Sequence, residues 1–260
     1  MIFKAIWLGI VEGVTEFLPV SSTGHLILAG HFLKFSGPFS VLFDIFIQLG
    51  AILAVVVYYR KRILQSLLHL RPSEWGFTLW SLIIIAFLPS AILGFLTKDF
   101  IEKYLFSPRT VSIALIVGAI LVLIVEKRRR TVVRDDALSL SRKDAFFIGL
   151  AQCMSLFPGM SRSASTMLGG LCLGLSAKAA AEFSFFLAIP TMFAATGYSL
   201  IKGFSNITSL EWTALAIGFF VSFLVAYIVV GKFIAYLGKH SLTIFAYYRL
   251  VVGIVMLLVV

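Results

Sequence analysis

The sequence has 260 residues, of which 60% are hydrophobic and 13% are charged. Soluble globular domains carry about 25% charged residues, so this composition excludes a water-soluble fold and also excludes a disordered chain. A formal net charge of +10 would suit a nucleic-acid-binding protein, but the basic residues here are clustered between apolar segments. The composition therefore predicts an integral membrane protein with no nucleic-acid partner.

Six apolar segments are long enough to cross a bilayer as helices. They cover residues 39–59, 76–96, 110–126, 178–201, 212–233 and 243–260. Pro89 and Pro190 lie inside two of these segments and are expected to kink the helices that contain them. The sequence thus predicts an all-α polytopic membrane protein.

Two further apolar stretches, 3–33 and 145–175, are each interrupted by a proline and a turn rich in serine and threonine. Each arm of these stretches is too short to cross a bilayer by itself. The pattern is typical of a re-entrant helical hairpin, whose exposed backbone is tolerated only where protein or water satisfies it. We therefore expect two hairpins that carry their polar turns into the membrane.

The two hairpins resemble each other at an offset of 140 residues. The matches are Gly9 with Gly149, Glu12 with Gln152, Phe17 with Phe157, Ser21 with Ser161, and Thr23 with Ser163. Their common order predicts a duplication: a first repeat over 1–126, a cytoplasmic linker over 127–144 and a second repeat over 145–260. Each repeat would hold one hairpin and three spans, and this odd number of crossings would invert the second repeat relative to the first.

The charges predict an orientation for these spans. Of the 22 Lys and Arg residues, 13 lie in the stretches 60–71, 127–143 and 232–239. Basic loops are retained on the cytoplasmic side, so both termini are expected outside. The first hairpin would then enter from the outer face and the second from the cytoplasm, with their turns meeting near the midplane.

Ionisable residues at membrane depth are costly and mark functional sites. Glu12 and Glu16 are four residues apart on the first arm of hairpin 3–33, so their carboxylates share one helix face. Such a pair either shares a proton or binds a divalent cation through its oxygens. The alternative is a polar stripe that lines a water-filled crevice.

The turn of the first hairpin is rich in hydrogen-bonding groups. It offers the hydroxyls of Ser21, Ser22 and Thr23, followed by His25. A histidine here is a candidate general acid/base or nucleophile. The alternatives are helix capping by the hydroxyls and a purely structural histidine.

Arg162 is the most informative residue of the second turn, where Ser161 and Ser163 flank it. A guanidinium at this position suits a phosphate or carboxylate ligand. Both turns lead into helix N-termini, which also favour anions. The alternative is a structural ion pair with Glu12 or Glu16, and the two roles are compatible.

Three other charged residues fall within predicted spans. Asp44 and Glu182 are predicted to accept hydrogen bonds from the hydroxyls of the turns and so to hold them from behind. Arg249, about two turns into the last span, is expected to extend its head group to the inner interface.

A carboxylate pair, a histidine, several hydroxyls and an arginine between two helix N-termini supply the parts that phosphoryl transfer requires. A substrate that reaches a membrane-embedded site would be a lipid phosphate. The competing hypothesis is a lipid or anion transporter, or a flippase, because inverted repeats and broken helices are typical of transporters. A carrier needs an anion site but no nucleophile with acid/base partners.

Residues 12–25 and 158–166 resemble the two signature motifs of the undecaprenyl-diphosphate phosphatase family, the bacitracin-resistance proteins. The resemblance extends over essentially the whole chain. It implies an enzyme of the bacterial inner membrane, with an active site open to the outer face, that hydrolyses undecaprenyl diphosphate to undecaprenyl phosphate and phosphate. Recycling of this lipid carrier would serve cell-wall synthesis and confer bacitracin resistance.

The resemblance also assigns roles by position. It implies a divalent cation, Mg²⁺ or Ca²⁺, with Glu12 and Glu16 binding the metal or handling protons. Arg162 would hold the diphosphate, and Ser22 or His25 would be the nucleophile, with Ser22 slightly favoured. The remaining substrate-binding candidates are Ser21, Thr23, Ser161, Ser163 and Thr166. No oligomeric state is predicted.

Overall fold

Eleven α-helices are present in the computed structural model, which describes residues 1–128, 134–201 and 207–259. They are α1 Ile2–Thr15, α2 Ser22–Leu33, α3 Pro38–Tyr58, α4 Arg60–Leu68, α5 Trp75–Tyr104, α6 Pro108–Lys127, α7 Arg142–Gln152, α8 Arg162–Cys172, α9 Ala177–Ile201, α10 Ser209–Leu237 and α11 Thr243–Val259. Short 3₁₀ turns cover Ala137–Ser139 and Cys153–Leu156. Part of the predicted linker, 129–133, and the final residue of the last predicted span, Val260, lie outside the described residues.

The predicted spans are helical. Within the described ranges, five helices (α3, α5, α6, α9 and α10) are long and apolar enough to cross a membrane. The sixth predicted span is the 17-residue helix α11. An all-α polytopic membrane protein is therefore confirmed.

Helix α5 is longer than predicted. It runs for 30 residues and continues through Pro89 to Tyr104, whereas the apolar segment ends at residue 96. A proline inside a helix removes one backbone donor but need not end the helix. The extra turns carry the charged residues that follow the apolar segment.

Residues 60–68 of the basic stretch 60–71 form a helix, α4, that the charge pattern did not predict. Helix α4 leaves the side chains of Leu64 and Leu68 exposed on a segment that also carries several basic residues. A helix with both apolar and basic exposed side chains is typical of a membrane interface. The indole Nε1 of Trp80 donates to the hydroxyl of Ser66 at 2.9 Å and holds α4 against α5.

The two halves of the chain pack into each other. Helix α1 of the first hairpin packs against α10, the second span of the other half, and α7 of the second hairpin packs against α5, the second span of the first half. Helix α3 likewise packs against α10, and α9 packs against α5. Helix α6 packs against α11. The halves are therefore not independent folding units, and the inverted relation between them stays a prediction.

Matched glycines allow a close approach of both hairpins to the opposite half. A Cβ atom on Gly9 would lie 2.8 Å from the carbonyl oxygen of Gly218 in α10. A Cβ atom on Gly149, at the matching position of α7, would overlap the carbonyl of Ala86 in α5. Small residues let membrane helices approach backbone to backbone, so both hairpins are seated by the same means.

The predicted orientation is testable by cysteine labelling. Cysteines at Ser107 and Asp135, both exposed, are introduced one at a time after the native Cys153 and Cys172 are replaced by alanine. Because α6 is predicted to cross between them, a membrane-impermeant maleimide should label position 107 from outside intact cells and position 135 only after permeabilisation. Labelling of both positions from one side would contradict the predicted topology.

Candidate active site

The two turns share one backbone geometry. Ser21 has φ 71° and Ser161 has φ 70°, and both residues cap the helix that follows. Their hydroxyl oxygens accept hydrogen bonds from the backbone N–H of Gly24 at 3.4 Å and of Ala164 at 3.2 Å. Positive φ is rare for a residue with a side chain, so its occurrence at both matched serines is a strong likeness. The alternative role of helix capping is therefore confirmed for the hydroxyls of Ser21 and Ser161.

The two turns lie against each other, as the sequence predicts. The hydroxyl of Ser163 donates to the carbonyl of Leu18 at 2.8 Å, and it lies 3.1 Å from the hydroxyl of Ser161. The ring of Phe17 packs edge-on against Phe185 of α9, with centroids 5.2 Å apart. The hydrogen bond of Ser163 to Leu18 therefore joins the two turns.

A charged cluster forms where the turns meet. The hydroxyl of Ser22 donates to Oε2 of Glu16 at 2.5 Å, and Nη2 of Arg162 donates to Oε1 at 3.2 Å. The side chains of Arg162 and Glu16 are only 10% and 8% exposed. Nη1 of Arg162 donates to the carbonyl of Ser184 at 3.1 Å, and the guanidinium lies over the ring of Phe17 at 5.7 Å. One carboxylate therefore joins the serine of the first turn to the arginine of the second.

Two polar groups beside this cluster lack partners. Both carboxylate oxygens of Glu12 are buried, and so is Nε of Arg162. Within the described part of the chain, none of these three atoms has a hydrogen-bond partner. Glu12 lies close enough to Glu16, Asp44 and Arg162 to interact with all three charges. Buried polar groups without partners are rare, and a Glu12 carboxyl this close to Glu16 either shares a proton with it or binds a cation. A carboxylate suits a cation, and a guanidinium N–H suits an anion.

The structure corrects the expectation for Glu182. Its carboxylate accepts a hydrogen bond from Nη1 of Arg62 at 2.8 Å, in an ion pair outside the cluster, instead of holding the hydroxyls of the turns. Glu182 therefore pairs with Arg62 of α4 and not with the hydroxyls of the turns. Asp44 also differs from the expectation: among the described residues it accepts no hydrogen bond from a turn hydroxyl, and its charge interacts with that of Glu12.

His25 and Thr23 point away from the Glu16 cluster. Nδ1 of His25 lies 2.7 Å from the carbonyl of Ser21, and Nε2 lies 2.8 Å from the hydroxyl of Tyr248 in α11, on which the imidazole stacks. Thr23 lines a cavity of about 510 Å³ between α5 and α9, which also reaches Ser90 and Lys98 of α5. Of the candidates in the first turn, Ser22 is therefore the one that contacts Glu16.

Arg249 does not reach for the interface, so that expectation is wrong. Its side chain is fully buried, and its guanidinium donates to carbonyls of both turns and of α6. An arginine near a helix end usually extends to water, but here the carbonyls left open by the turns satisfy its donors inside the protein. Nothing in the spacing of the last span predicted this contact.

Gln152 occupies the position of the second hairpin that matches Glu12. Its amide is fully buried and donates to the hydroxyl of Ser90 at 2.5 Å. The hydroxyl of Thr166 donates to the carbonyl of Arg162 at 2.9 Å and to Oε1 of Gln152 at 3.4 Å. Thr166 thus lies in an internal polar network behind the second turn, and the sequence offset was the signal for Gln152.

These features define a class of protein: a polytopic helical membrane protein with a buried carboxylate, serine and arginine between two helix-capping turns. The chain belongs to the bacitracin resistance protein BacA family, whose profile matches residues 5–255. It is 60% identical to the undecaprenyl-diphosphatase of Thermoanaerobacter sp. (strain X514), over 100% of this chain and 97% of the relative. Further undecaprenyl-diphosphatases share 48% (Clostridium tetani, 99% and 96% of the two chains) and 45% identity (Acinetobacter baumannii strain ATCC 17978, 99% and 95%).

The burial of the Arg162–Glu16 pair predicts a large effect on stability. Arg162→Met leaves the Glu16 carboxylate buried without its cation, and we expect a loss of about 3–5 kcal/mol of unfolding free energy. The matched control is Arg62→Met, which breaks the more exposed pair with Glu182 (side chains 34% and 21% exposed). That control should cost about 1 kcal/mol or less.

Reversible denaturation in mixed micelles measures both losses. The double variant Glu16→Gln/Arg162→Met should recover part of the loss, because it removes the unpaired charge as well. Equal losses for the two arginine variants would contradict the assignment of a buried pair.

Proposed function

We propose that this protein is an undecaprenyl-diphosphatase, an enzyme that hydrolyses undecaprenyl diphosphate to undecaprenyl phosphate and inorganic phosphate. Relatives that cover nearly the whole chain carry that name. The observation that carries the proposal is the 2.5 Å hydrogen bond from the hydroxyl of Ser22 to Glu16, whose other oxygen Arg162 holds. A serine activated by a carboxylate beside an arginine is what nucleophilic phosphoryl transfer needs.

Ser22 is the nucleophile in this proposal. Its hydroxyl already donates to Glu16, so the carboxylate takes the proton as Oγ bonds to the terminal phosphorus. The bond from that phosphorus to the bridging oxygen breaks, and undecaprenyl phosphate leaves. Glu16 gives that proton to the departing oxygen of undecaprenyl phosphate and is again a carboxylate. Water then attacks the phosphoserine while Glu16 takes a proton from the water and returns it to Oγ of Ser22 as the P–Oγ bond breaks, which releases phosphate.

The diphosphate is held by the second turn and by both helix N-termini. Arg162 is positioned by Glu16 and by the carbonyl of Ser184, which leaves its buried Nε as the free donor for a phosphate oxygen. The N-termini of α2 and α8 begin at the turns and add backbone N–H groups. His25 contacts the carbonyl of Ser21 and the hydroxyl of Tyr248 and not Glu16, so in this proposal it assists from behind Ser21.

A divalent cation, Mg²⁺ or Ca²⁺, fits the residues present. Among the described residues no three His, Cys, Asp or Glu side chains gather into a complete metal cage. Mg²⁺ is commonly held by one or two carboxylates together with the phosphates of the substrate, and the unpartnered oxygens of Glu12 suit that role with Glu16. The cation would neutralise charge on the diphosphate.

We place the protein in the inner membrane of a bacterium, with the site open to the outer face. The family is bacterial, and the chain has several spans. The cavity beside Thr23 extends to Lys98 of α5 and to Phe106, which lies between α5 and α6, at the end of α5 that the charge pattern predicts to be outside. A diphosphate head group could approach the turns along this route, while the cytoplasmic loops carry the basic residues.

In the cell this activity would return the lipid carrier to cell-wall synthesis and confer resistance to bacitracin, the property in the name of the family. The transporter or flippase hypothesis is not favoured. A carrier does not require a serine hydroxyl held on a buried carboxylate, and the relatives are named as diphosphatases.

Phosphate release tests the activity. The purified full chain in detergent, with undecaprenyl diphosphate and Mg²⁺, should release phosphate, and Ser22→Ala, Glu16→Gln and Arg162→Ala should each reduce kcat/KM at least about 100-fold. His25→Ala should retain more activity than Ser22→Ala. Tyr247→Phe, an exposed change on α11, serves as the control. Equal rates for wild type and Arg162→Ala would contradict the proposal.

Chelation tests the cation. EDTA should abolish phosphate release, and Mg²⁺ or Ca²⁺ should restore it. If Glu12 binds the cation, Glu12→Gln should raise the Mg²⁺ concentration for half-maximal rate at least about tenfold, whereas Glu182→Gln should leave it unchanged because that carboxylate lies in another ion pair. An unchanged Mg²⁺ dependence in Glu12→Gln would remove this residue from the metal site.

A further inference from the structure

Arg249 of α11 gathers backbone carbonyls from three separate segments. Its Nη1 donates to Pro19 of the first turn at 3.3 Å and to Met160 of the second turn at 3.0 Å, and its Nη2 donates to Gly159 at 3.1 Å. Further bonds reach the carbonyls of α6: Nε to Leu115 at 3.3 Å and Nη2 to Ala114 at 3.4 Å. Among the described residues, every hydrogen-bond acceptor of this fully buried guanidinium is a backbone carbonyl.

The contacts fall at matched positions of the two turns. Pro19 and Gly159 are related by the same 140-residue offset that relates Ser21 to Ser161. Each carbonyl lies two residues before the serine that adopts positive φ, and Ser22 or Arg162 comes immediately after that serine. One cation on α11 therefore holds the same point of both turns.

The surrounding helices leave room for this side chain. A Cβ atom on Gly118 of α6 would overlap the guanidinium of Arg249. One turn further along α11, Gly253 packs against α6, where its Cβ would lie 2.7 Å from Ile116 and 3.1 Å from the carbonyl of Ser112. These two glycines bring α11 close enough to α6 for the guanidinium to pass between the helix and the turns.

We propose that Arg249 is a positioning residue that fixes the distance between Ser22 and Arg162 by bonding the carbonyls that precede them. It touches neither Glu16 nor the place of the substrate, so it acts through the two turns. Residues held in sparsely populated backbone conformations persist only when their surroundings determine them, and Arg249 supplies that constraint to both turns at once. This inference rests on the proposed diphosphatase activity.

The test compares variants of this contact by kcat and KM for undecaprenyl diphosphate. Arg249→Met should lower kcat about 100-fold, because small displacements of reacting groups cost that much. KM should change less than about threefold, since Arg162 and the helix N-termini remain. Arg249→Lys, which reaches fewer carbonyls, should recover part of kcat. Tyr247→Phe, an exposed change on the same helix, should leave both constants unchanged.

A second variant keeps the arginine and moves it. Gly118→Ala should displace the guanidinium and lower kcat in the same direction as Arg249→Met, while Gly197→Ala, where nothing lies within 4 Å, should have no effect. Rates are divided by the folded fraction from size exclusion and thermal unfolding in detergent. If Arg249→Met does not fold, Arg249→Lys and Gly118→Ala decide the question.

The outcomes separate the two proposals. Near-normal kcat per folded molecule in Arg249→Met, or in both Arg249→Lys and Gly118→Ala if Arg249→Met does not fold, would overturn the positioning role while leaving the diphosphatase intact. A parallel rise in KM that accounts for the whole loss would also overturn it, because the residue would then act on binding. Absence of phosphate release by the wild type would refute the proposed activity instead.

Discussion

Two broken helices inside a membrane protein leave backbone carbonyls that water does not reach. These groups must be satisfied within the protein, because an unpaired polar group in an apolar environment costs several kcal/mol. The guanidinium of Arg249 donates hydrogen bonds to carbonyls of both turns, those of Pro19, Gly159 and Met160. These bonds join the two turns to each other and to α6, against which α11 packs, and the proposed positioning of Ser22 and Arg162 rests on them.

A buried cation held by carbonyls also separates two electrostatic tasks. Among the described residues, Arg249 donates its hydrogen bonds to neutral backbone carbonyls, whereas Arg162 is paired with the carboxylate of Glu16. The site also contains buried polar atoms that have no hydrogen-bond partner in the described part of the chain, namely Nε of Arg162 and both carboxylate oxygens of Glu12. These open groups support the proposal of a diphosphate bound together with a metal ion.

Most of the architecture was predictable because it depends on composition and periodicity. The spans, the broken hairpins and the likeness of the turns follow from apolar length, from proline placement and from matched residues such as Ser21 and Ser161. The proximity of Glu16 to Arg162 was also foreseen, since charges inside apolar sequence seek each other. Glu182 was assigned the wrong partner because its proximity to Arg62 arises from the packing of α9 against α3, which no local pattern records.

By itself, the sequence determined the class of protein, the positions of its helices and the residue types of the site, because burial in lipid permits few charges and fixes the length of each span. Only the tertiary structure decided which hydroxyl meets Glu16 and what Arg249 does. Ser22 and His25 both lie in the first turn of α2, but their side chains have different partners. Ser22 donates to Glu16, whereas His25 contacts Tyr248 of α11. The contacts of His25 with Tyr248 and of Arg249 with both turns join residues that are 89 or more positions apart, where local spacing carries no information.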